Sequence, residues 1–217
     1  MNLYSEKLLC FSAFSNDIFN SNKIILPVRI LKSLESSRLM GNILFFKVEN
    51  LKNEYGYICG VHDFTAIDGT CNVPYHIMNQ IGVGEGDPIR ISLYNPPSAE
   101  YIKLRPHTTA FIELQSPKSV LEHCLSLYYP VLNTGQTITV VHNGVNYYID
   151  VIETQPYTAV QTINCDVNLD FDEPLDYQEL QKEKQRREQE KKNIRQNRLK
   201  SFRKTTFSAF QGAGRKL

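Results

Sequence analysis

The residues with the most specific chemistry stand at the C-terminus, in the run Phe210-Gln211-Gly212-Ala213-Gly214-Arg215-Lys216-Leu217. A large aromatic and a leucine bracket two glycines. The flanking sequence is charged and polar, so neither Phe210 nor Leu217 has a local core to enter. Gly212 and Gly214 allow the backbone to approach another surface closely. Phe-x-Gly-x-Gly-x-x-Leu in a polar tail therefore has the chemistry of a docking peptide that lays extended backbone on a partner, with Phe207 as an auxiliary contact. The same letters also fit a plain loop terminus, since short motifs recur by chance.

Catalytic and cofactor chemistry is less well supplied. Gly82-Val83-Gly84-Glu85-Gly86 has the wrong spacing for a dinucleotide loop, and Asp87-Pro88 followed by a strand is not the helix that would receive a phosphate. Asp68-Gly69-Thr70 inverts the Asp-Thr/Ser-Gly order of aspartic proteases and has no second copy to share a proton. The five histidines (His62, His76, His107, His123, His142) stand apart, without metal-ligand spacing. No serine lies in a G-x-S-x-G elbow. The sequence thus offers no catalytic residue, no metal site and no cofactor, and binding is the favoured class. The enzymatic rival is a barrel-based hydrolase with paired carboxylates near Asp63 and Asp68.

Five cysteines (Cys10, Cys59, Cys71, Cys124, Cys165) are scattered, odd in number and without a C-x-x-C pair, which points to buried thiols in a reducing compartment rather than disulfides or zinc. The N-terminus is a poor signal peptide, and no apolar stretch nears the ~20 residues that span a bilayer. A soluble intracellular chain is the expectation.

Charge divides the chain. Residues 1–173 carry 11 basic and 18 acidic side chains, net −7, and residues 174–217 carry 13 and 5, net +8. The basic run Lys182 to Lys204 suggests two readings: a nucleic-acid-binding or nuclear-localisation patch, or a solvated, partly helical linker. Glu183, Glu188 and Glu190 interrupt the run and no aromatics interleave for base stacking, which favours the linker. Leu180, Ile194, Leu199 and Phe202 form no continuous stripe, so this segment cannot fold alone.

The elements that would position these residues are mostly strands. Ile43 to Val48, Tyr57 to Phe64, Ile89 to Leu93, Tyr101 to Leu104 and Ala110 to Leu114 read as strands. Pro27 and Pro74 stand where helices begin, over Val28 to Leu34 and Tyr75 to Ile81. Short strands at this spacing predict a small barrel or sandwich over residues 1–108 or so. Ser116 as a cap and Pro117 in the first turn then start a helix with Val120, Leu121, Cys124, Leu125 and Tyr128 as its apolar stripe. Asn143-Gly144 between β-branched runs marks a hairpin, and Ala159 to Ile163 a last strand. Residues 109–173 read as a small α/β unit, and 174–217 as a disordered or partly helical basic tail.

In order, these residues resemble the ubiquitin fusion degradation protein 1 family, substrate-recruiting adaptors of the AAA+ ATPase valosin-containing protein (cell division cycle protein 48). The resemblance is carried by Ile24-Ile25-Leu26-Pro27, Phe64-Thr65-Ala66 with Gly69 and Val73-Pro74, Tyr101 to Pro106 and Pro117 to Glu122. Its most specific stretch is Glu153-Thr154-Gln155-Pro156, then Ala159-Val160 and Cys165 to Tyr177. The C-terminal Phe-x-Gly-x-Gly-x-x-Leu resembles the SHP box by which such adaptors dock on the ATPase N-terminal domain.

The resemblance implies a mixed α and β fold: a double-psi β-barrel, then a small α/β subdomain, then a flexible charged tail. It implies a non-enzymatic adaptor that binds ubiquitin and polyubiquitin chains and delivers ubiquitylated proteins for unfolding and proteasomal degradation, including endoplasmic-reticulum-associated degradation. Cytoplasmic and nuclear localisation follows, with recruitment to the cytosolic face of the endoplasmic reticulum. It does not name the ubiquitin contact residues. The family acts with nuclear protein localisation protein 4, through an extension beyond the first box. The sequence ends at Leu217, where that extension would begin. Asp176 departs from the family, which generally has Gly there.

Overall fold

The computed structural model describes residues 4–13, 18, 20–37 and 43–205, with side chains through residue 199. Two compact units result, Met1–Leu175 and Asp176–Leu217.

Six strands of the first unit close into a barrel: β1 (Ser5–Ser12), β2 (Lys23–Pro27), β3 (Phe45–Asn50), β4 (Gly56–Ala66), β5 (Thr70–Val73) and β6 (Pro88–Tyr94), in the order β1-β5-β2-β4-β3-β6. β1 and β5 pair parallel, as do β2 and β4, and the remaining neighbours run antiparallel. This is the mixed pairing expected of a double-psi barrel, and closure removes the exposed sheet edges that invite aggregation. Period-2 alternation sends Leu8 and Cys10, Phe46 and Val48, and Ile89 and Ile91 into one buried core. Helices α1 (Val28–Ser36) and α2 (Tyr75–Ile81) follow Pro27 and Pro74 and bury Ile30, Leu34, Ile77, Met78 and Ile81 against it.

A four-stranded sheet has the order β12-β7-β10-β9, from β7 (Tyr101–Pro106), β9 (Thr137–His142), β10 (Val145–Gln155) and β12 (Asn168–Phe171). A two-stranded sheet joins β8 (Val131–Asn133) and β11 (Ala159–Gln161). Helices α3 (Thr109–Ile112) and α4 (Pro117–Tyr128) pack on this part, whose core includes Phe111, Leu121, Leu125, Ile138 and Ile149. Asn143 and Gly144 both adopt positive φ (51° and 76°), the conformation a two-residue hairpin needs.

Three readings change here. Tyr101–Pro106, expected with the barrel, hydrogen-bonds β10 and β12 and belongs to the second sheet. Ala110 to Leu114 is not a strand: its first three residues belong to the helix Thr109–Ile112 and the rest is turn and bend, because a short apolar run does not distinguish helix from strand by periodicity. Ser116 stands at the N-cap of α4 without a side-chain capping bond, and Tyr128 is 36% exposed rather than part of a buried stripe.

Barrel and sheets are fastened along β4 and β8. Asn22 Nδ2 donates to Val131 O, and Tyr57 Oη donates to Gln136 Oε1. Asn133 accepts from the Ile58 N–H at 3.2 Å and donates to Ile58 O at 3.0 Å. Phe45, Ile58, Val131 and Ala159 form a small core across the junction.

Among its described residues the second unit contains one helix, α5 (Tyr177–Thr205), longer than the partly helical tail expected. It is polar all round, and Ile194 and Leu199 are exposed. Its local support includes the i,i+4 pairs Glu183–Arg187 at 2.6 Å and Arg186–Glu190 at 3.7 Å, each worth about 0.3–0.5 kcal/mol. Among the described residues, no helix is long and apolar enough to cross a membrane.

Candidate functional site

β1 is apolar on both faces. Leu8 and Cys10 point inward, and alternation therefore puts Leu9 and Phe11 on the outer wall, 44% and 36% exposed. The register sets Leu9 beside Thr70 and Phe11 beside Asn72 on β5. The turn entering β5 carries Ile67, which is 78% exposed. That turn is built locally: the Thr70 N–H and hydroxyl both donate to Ile67 O, at 3.0 and 2.8 Å, and Gly69 takes φ +82°. The Leu9 N–H donates to Gly69 O at 2.9 Å, so the turn is tied to β1. Among the described residues, Leu9, Phe11 and Ile67 are exposed apolar side chains that this register gathers on the outer wall, a candidate apolar band of the kind that marks a protein interface.

Carboxylates flank this band. Asp68 follows Ile67 and is solvent-exposed, with one oxygen 4.0 Å from Arg29 Nε. Glu85 accepts the Ser12 N–H with both oxygens at 3.1 Å. Asp87 accepts the Gly84 N–H at 2.9 Å, and that bond holds its carboxyl below the ordinary carboxylate range. The opposite end is basic, because Lys7 on β1 pairs with Arg90 on β6. Carboxylates thus stand at the band's Phe11 and Ile67 ends, with Lys52 3.5 Å from Asp87 and Arg29 beside Asp68.

The glycine run is not arranged to hold a phosphate. Gly82 is the left-handed end of α2, the Gly84 N–H is taken by Asp87, and the Gly86 N–H donates to Cys10 O at 2.7 Å. The N–H groups of its three glycines are taken, one of them by a carboxylate that would repel an anion. Asp63 accepts the Phe64 N–H at 2.7 Å, and none of the described grooves includes either Asp63 or Asp68.

One titratable cluster was not foreseen. Asp150 Oδ1 accepts from Thr137 Oγ1 and meets His107 Nε2, both at 2.8 Å, and Arg105 lies 3.5 Å from Oδ2. Burial alone would raise the Asp150 carboxyl. The hydrogen bonds from His107 and Thr137, with the nearby positive charge, outweigh it and leave the carboxyl below its ordinary range. The hydroxyl bonds the carboxylate and not the imidazole, so no nucleophile–base–carboxylate relay is assembled. Among the described residues no group of three or more His, Cys, Asp or Glu could hold a metal ion. All five cysteines are free and four are buried. Burial pushes the Cys10 thiol up to about 12 and Cys124 to about 11, and raises Cys59 and Cys71 as well. These rest as neutral thiols, poor as nucleophiles.

The docking residues Phe207, Phe210, Gly212, Gly214 and Leu217 lie outside the described residues. Sequence reasoning missed Leu9, Phe11 and Ile67. The signal for β1 was present, since Leu8-Leu9-Cys10-Phe11 is apolar at every position and a barrel strand needs only every second one inside.

Residues 4–97 match the family described as ubiquitin fusion degradation protein UFD1, N-terminal subdomain 1, and residues 98–174 match subdomain 2 of the same protein. The chain belongs to the ubiquitin fusion degradation protein 1 family. This is a family of non-enzymatic adaptors. The ubiquitin recognition factor in ER-associated degradation protein 1 of Homo sapiens is 31% identical over 223 residues, covering 100% of this chain and 71% of the human protein. The ubiquitin fusion degradation protein 1 homolog of Caenorhabditis elegans is 35% identical over 164 residues, 76% of this chain and 47% of the worm protein. The Saccharomyces cerevisiae ubiquitin fusion degradation protein 1 is 29% identical over 178 residues, covering 79% and 48% respectively. The chain thus aligns with about half the length of the worm and yeast relatives. The match to subdomain 2 begins just before β7, in keeping with the sheet that β7 joins.

Proposed function

We propose that this chain is a ubiquitin-binding adaptor that recruits ubiquitylated proteins to the valosin-containing protein ATPase for unfolding and proteasomal degradation, including degradation at the endoplasmic reticulum. The observation that carries this is the unbroken match of residues 4–174 to both family subdomains. The alignment of this whole chain with 71% of a human protein named for ubiquitin recognition supports it.

Ubiquitin presents a small apolar patch with a basic rim. In this reading that patch lies on Leu9, Phe11 and Ile67, and the rim faces Asp68 and Glu85. Charge complementarity of this kind favours encounter and register more than raw affinity. At the other end of the chain, Phe210 and Leu217 fill apolar pockets on the ATPase N-terminal domain. Gly212 and Gly214 let the backbone pair closely in strand addition. Burying one Phe is worth roughly 1.5–3 kcal/mol, and ordering a flexible segment costs a few kcal/mol. A single box therefore binds in the micromolar range at best, and α5 serves as the spacer that keeps the body near the ATPase. The adaptor works in the cytoplasm and nucleus and on the cytosolic face of the endoplasmic reticulum.

The nucleic-acid reading of the basic helix is weaker, because Glu183 and Glu190 are paired with the arginines that would meet phosphate. The direct test titrates a peptide of residues 205–217 into the isolated ATPase N-terminal domain. Phe210→Ala and Gly212→Ala should each weaken binding at least tenfold. Unchanged affinity in both variants, or a salt-sensitive gel shift with duplex DNA that is lost when residues 178–217 are removed, overturns the proposal.

A further inference from the structure

β12 is the end strand of its sheet, and among the described residues it pairs only with β7. The pairing is parallel. The Asn168 N–H donates to Glu100 O at 3.0 Å, and the Asp172 N–H to Leu104 O at 2.8 Å. Backbone groups alternate sides along a strand, so residues 168, 170 and 172 face β7 while Val167, Leu169 and Phe171 turn theirs away. The Phe171 N–H is taken by the Asp170 carboxylate at 2.9 Å. The Val167 and Leu169 peptide groups remain as a short hydrogen-bonding edge.

This edge does not face open solvent on both sides. A groove of about 460 Å³ runs between α4 and the segment leading into β12. Lys118, Glu122 and Leu125 of α4 form one wall, and Asp166, Val167 and Leu169 the other. A groove between an edge strand and a helix is the architecture that accepts an extended peptide as an added strand: main-chain bonds give affinity, and alternate side chains read the walls. Edge strands are normally blunted by lysine, proline, a bulge or a cover. β12 has no lysine or proline, and its one charged residue, Asp170, is acidic. Glu122 and Asp166 line the groove, and the one cation among its lining residues, Lys118, lies 3.9 Å from Glu122.

We propose that this groove is a second peptide-binding site, independent of the barrel band and of the C-terminal box, which takes an extended basic segment as a fifth strand on β12. The added strand bonds the Leu169 peptide group, and its basic side chains meet Glu122 and Asp166. The occupant is a basic segment of a partner protein, held in extended form.

The test uses the full chain, isotopically labelled, titrated with a ten-residue peptide of alternating lysine and valine and with its glutamate–valine counterpart. The expected result is a saturable shift of the Leu169 amide with the lysine peptide. Hydrogen exchange at that amide should slow by at least tenfold at saturation. The glutamate peptide should leave Leu169 unmoved. Glu122→Lys and Asp166→Lys change exposed side chains and should each weaken the lysine peptide about fivefold or more, with the amide spectrum of the rest of the body preserved. Equal response to both peptides, shifts confined to other surfaces, or no response at Leu169 up to millimolar peptide overturns the proposal. Shifts at Leu9 and Ile67 on adding ubiquitin are a separate readout, so failure here leaves the ubiquitin surface standing.

Discussion

Ile67→Ser isolates binding from folding. Ile67 sits on a turn whose hydrogen bonds are all made by backbone and by Thr70, and its side chain is 78% exposed in the free protein. Removing an exposed side chain away from caps and cores changes stability by about 0.5 kcal/mol at most. Fully burying an isoleucine is worth about 1.5–3 kcal/mol, and most of its area is still available to a partner, which leaves about 1–2 kcal/mol to be gained on binding. The substitution should therefore weaken ubiquitin binding by about 5- to 30-fold while leaving the urea midpoint nearly unchanged. The assay is a titration of ubiquitin into the labelled full chain at physiological salt, with urea unfolding of both proteins alongside. Leu9→Ser should also weaken binding, with a larger stability cost because Leu9 is already half buried. Full affinity in a folded Ile67→Ser protein would refute the assignment of the band.

Other predictions test the frame behind the band. A Cβ added at Gly60 would lie 2.5 Å from Pro130 Cγ, a rigid ring across the junction, so Gly60→Ala should destabilise the body by about 1–3 kcal/mol in urea unfolding; an unchanged midpoint would show that the junction yields. The environment of Asp150 favours its charged form, so the stability it contributes is complete above about pH 4 and drains as pH falls through its lowered folded value. Asp150→Asn should flatten that acid limb, and identical acid-unfolding profiles would contradict the geometry. Cys165 alone among the five cysteines is not buried. A small thiol reagent should label one cysteine in the native protein and the other four only on unfolding, and rapid labelling of two or more contradicts the packing.

Much of the barrel was legible because its strands obey a strong rule. Ile89 and Ile91 alternate with polar neighbours, and both are buried. Asn143-Gly144 announced its hairpin because few other residues tolerate two successive positive φ angles. Tyr101–Pro106 was misplaced because strand character does not say which sheet a strand joins; that is decided by long-range pairing with β10 and β12. Ala110 to Leu114 was misread because Phe111 needs only one buried position, which a helical turn supplies as well as a strand. The candidate band was hidden for a related reason. Four consecutive apolar residues, Leu8 to Phe11, look like a better core strand, and only closure of the barrel shows that Leu9 and Phe11 have nowhere inside to go. The Asp150 cluster draws on β7, β9 and β10, and no local pattern brings His107, Thr137 and Asp150 together.

The adaptor account is tested most directly by asking whether this chain bridges its two partners. Polyubiquitin is immobilised, and the purified ATPase is passed over it with and without the full-length protein. The account predicts that the ATPase is retained only when the protein is present. Ile67→Ser should strongly reduce retention, and Phe210→Ala should leave the protein on the beads while the ATPase washes through. Retention of the ATPase by the Phe210→Ala protein at the level of the unaltered chain would contradict it.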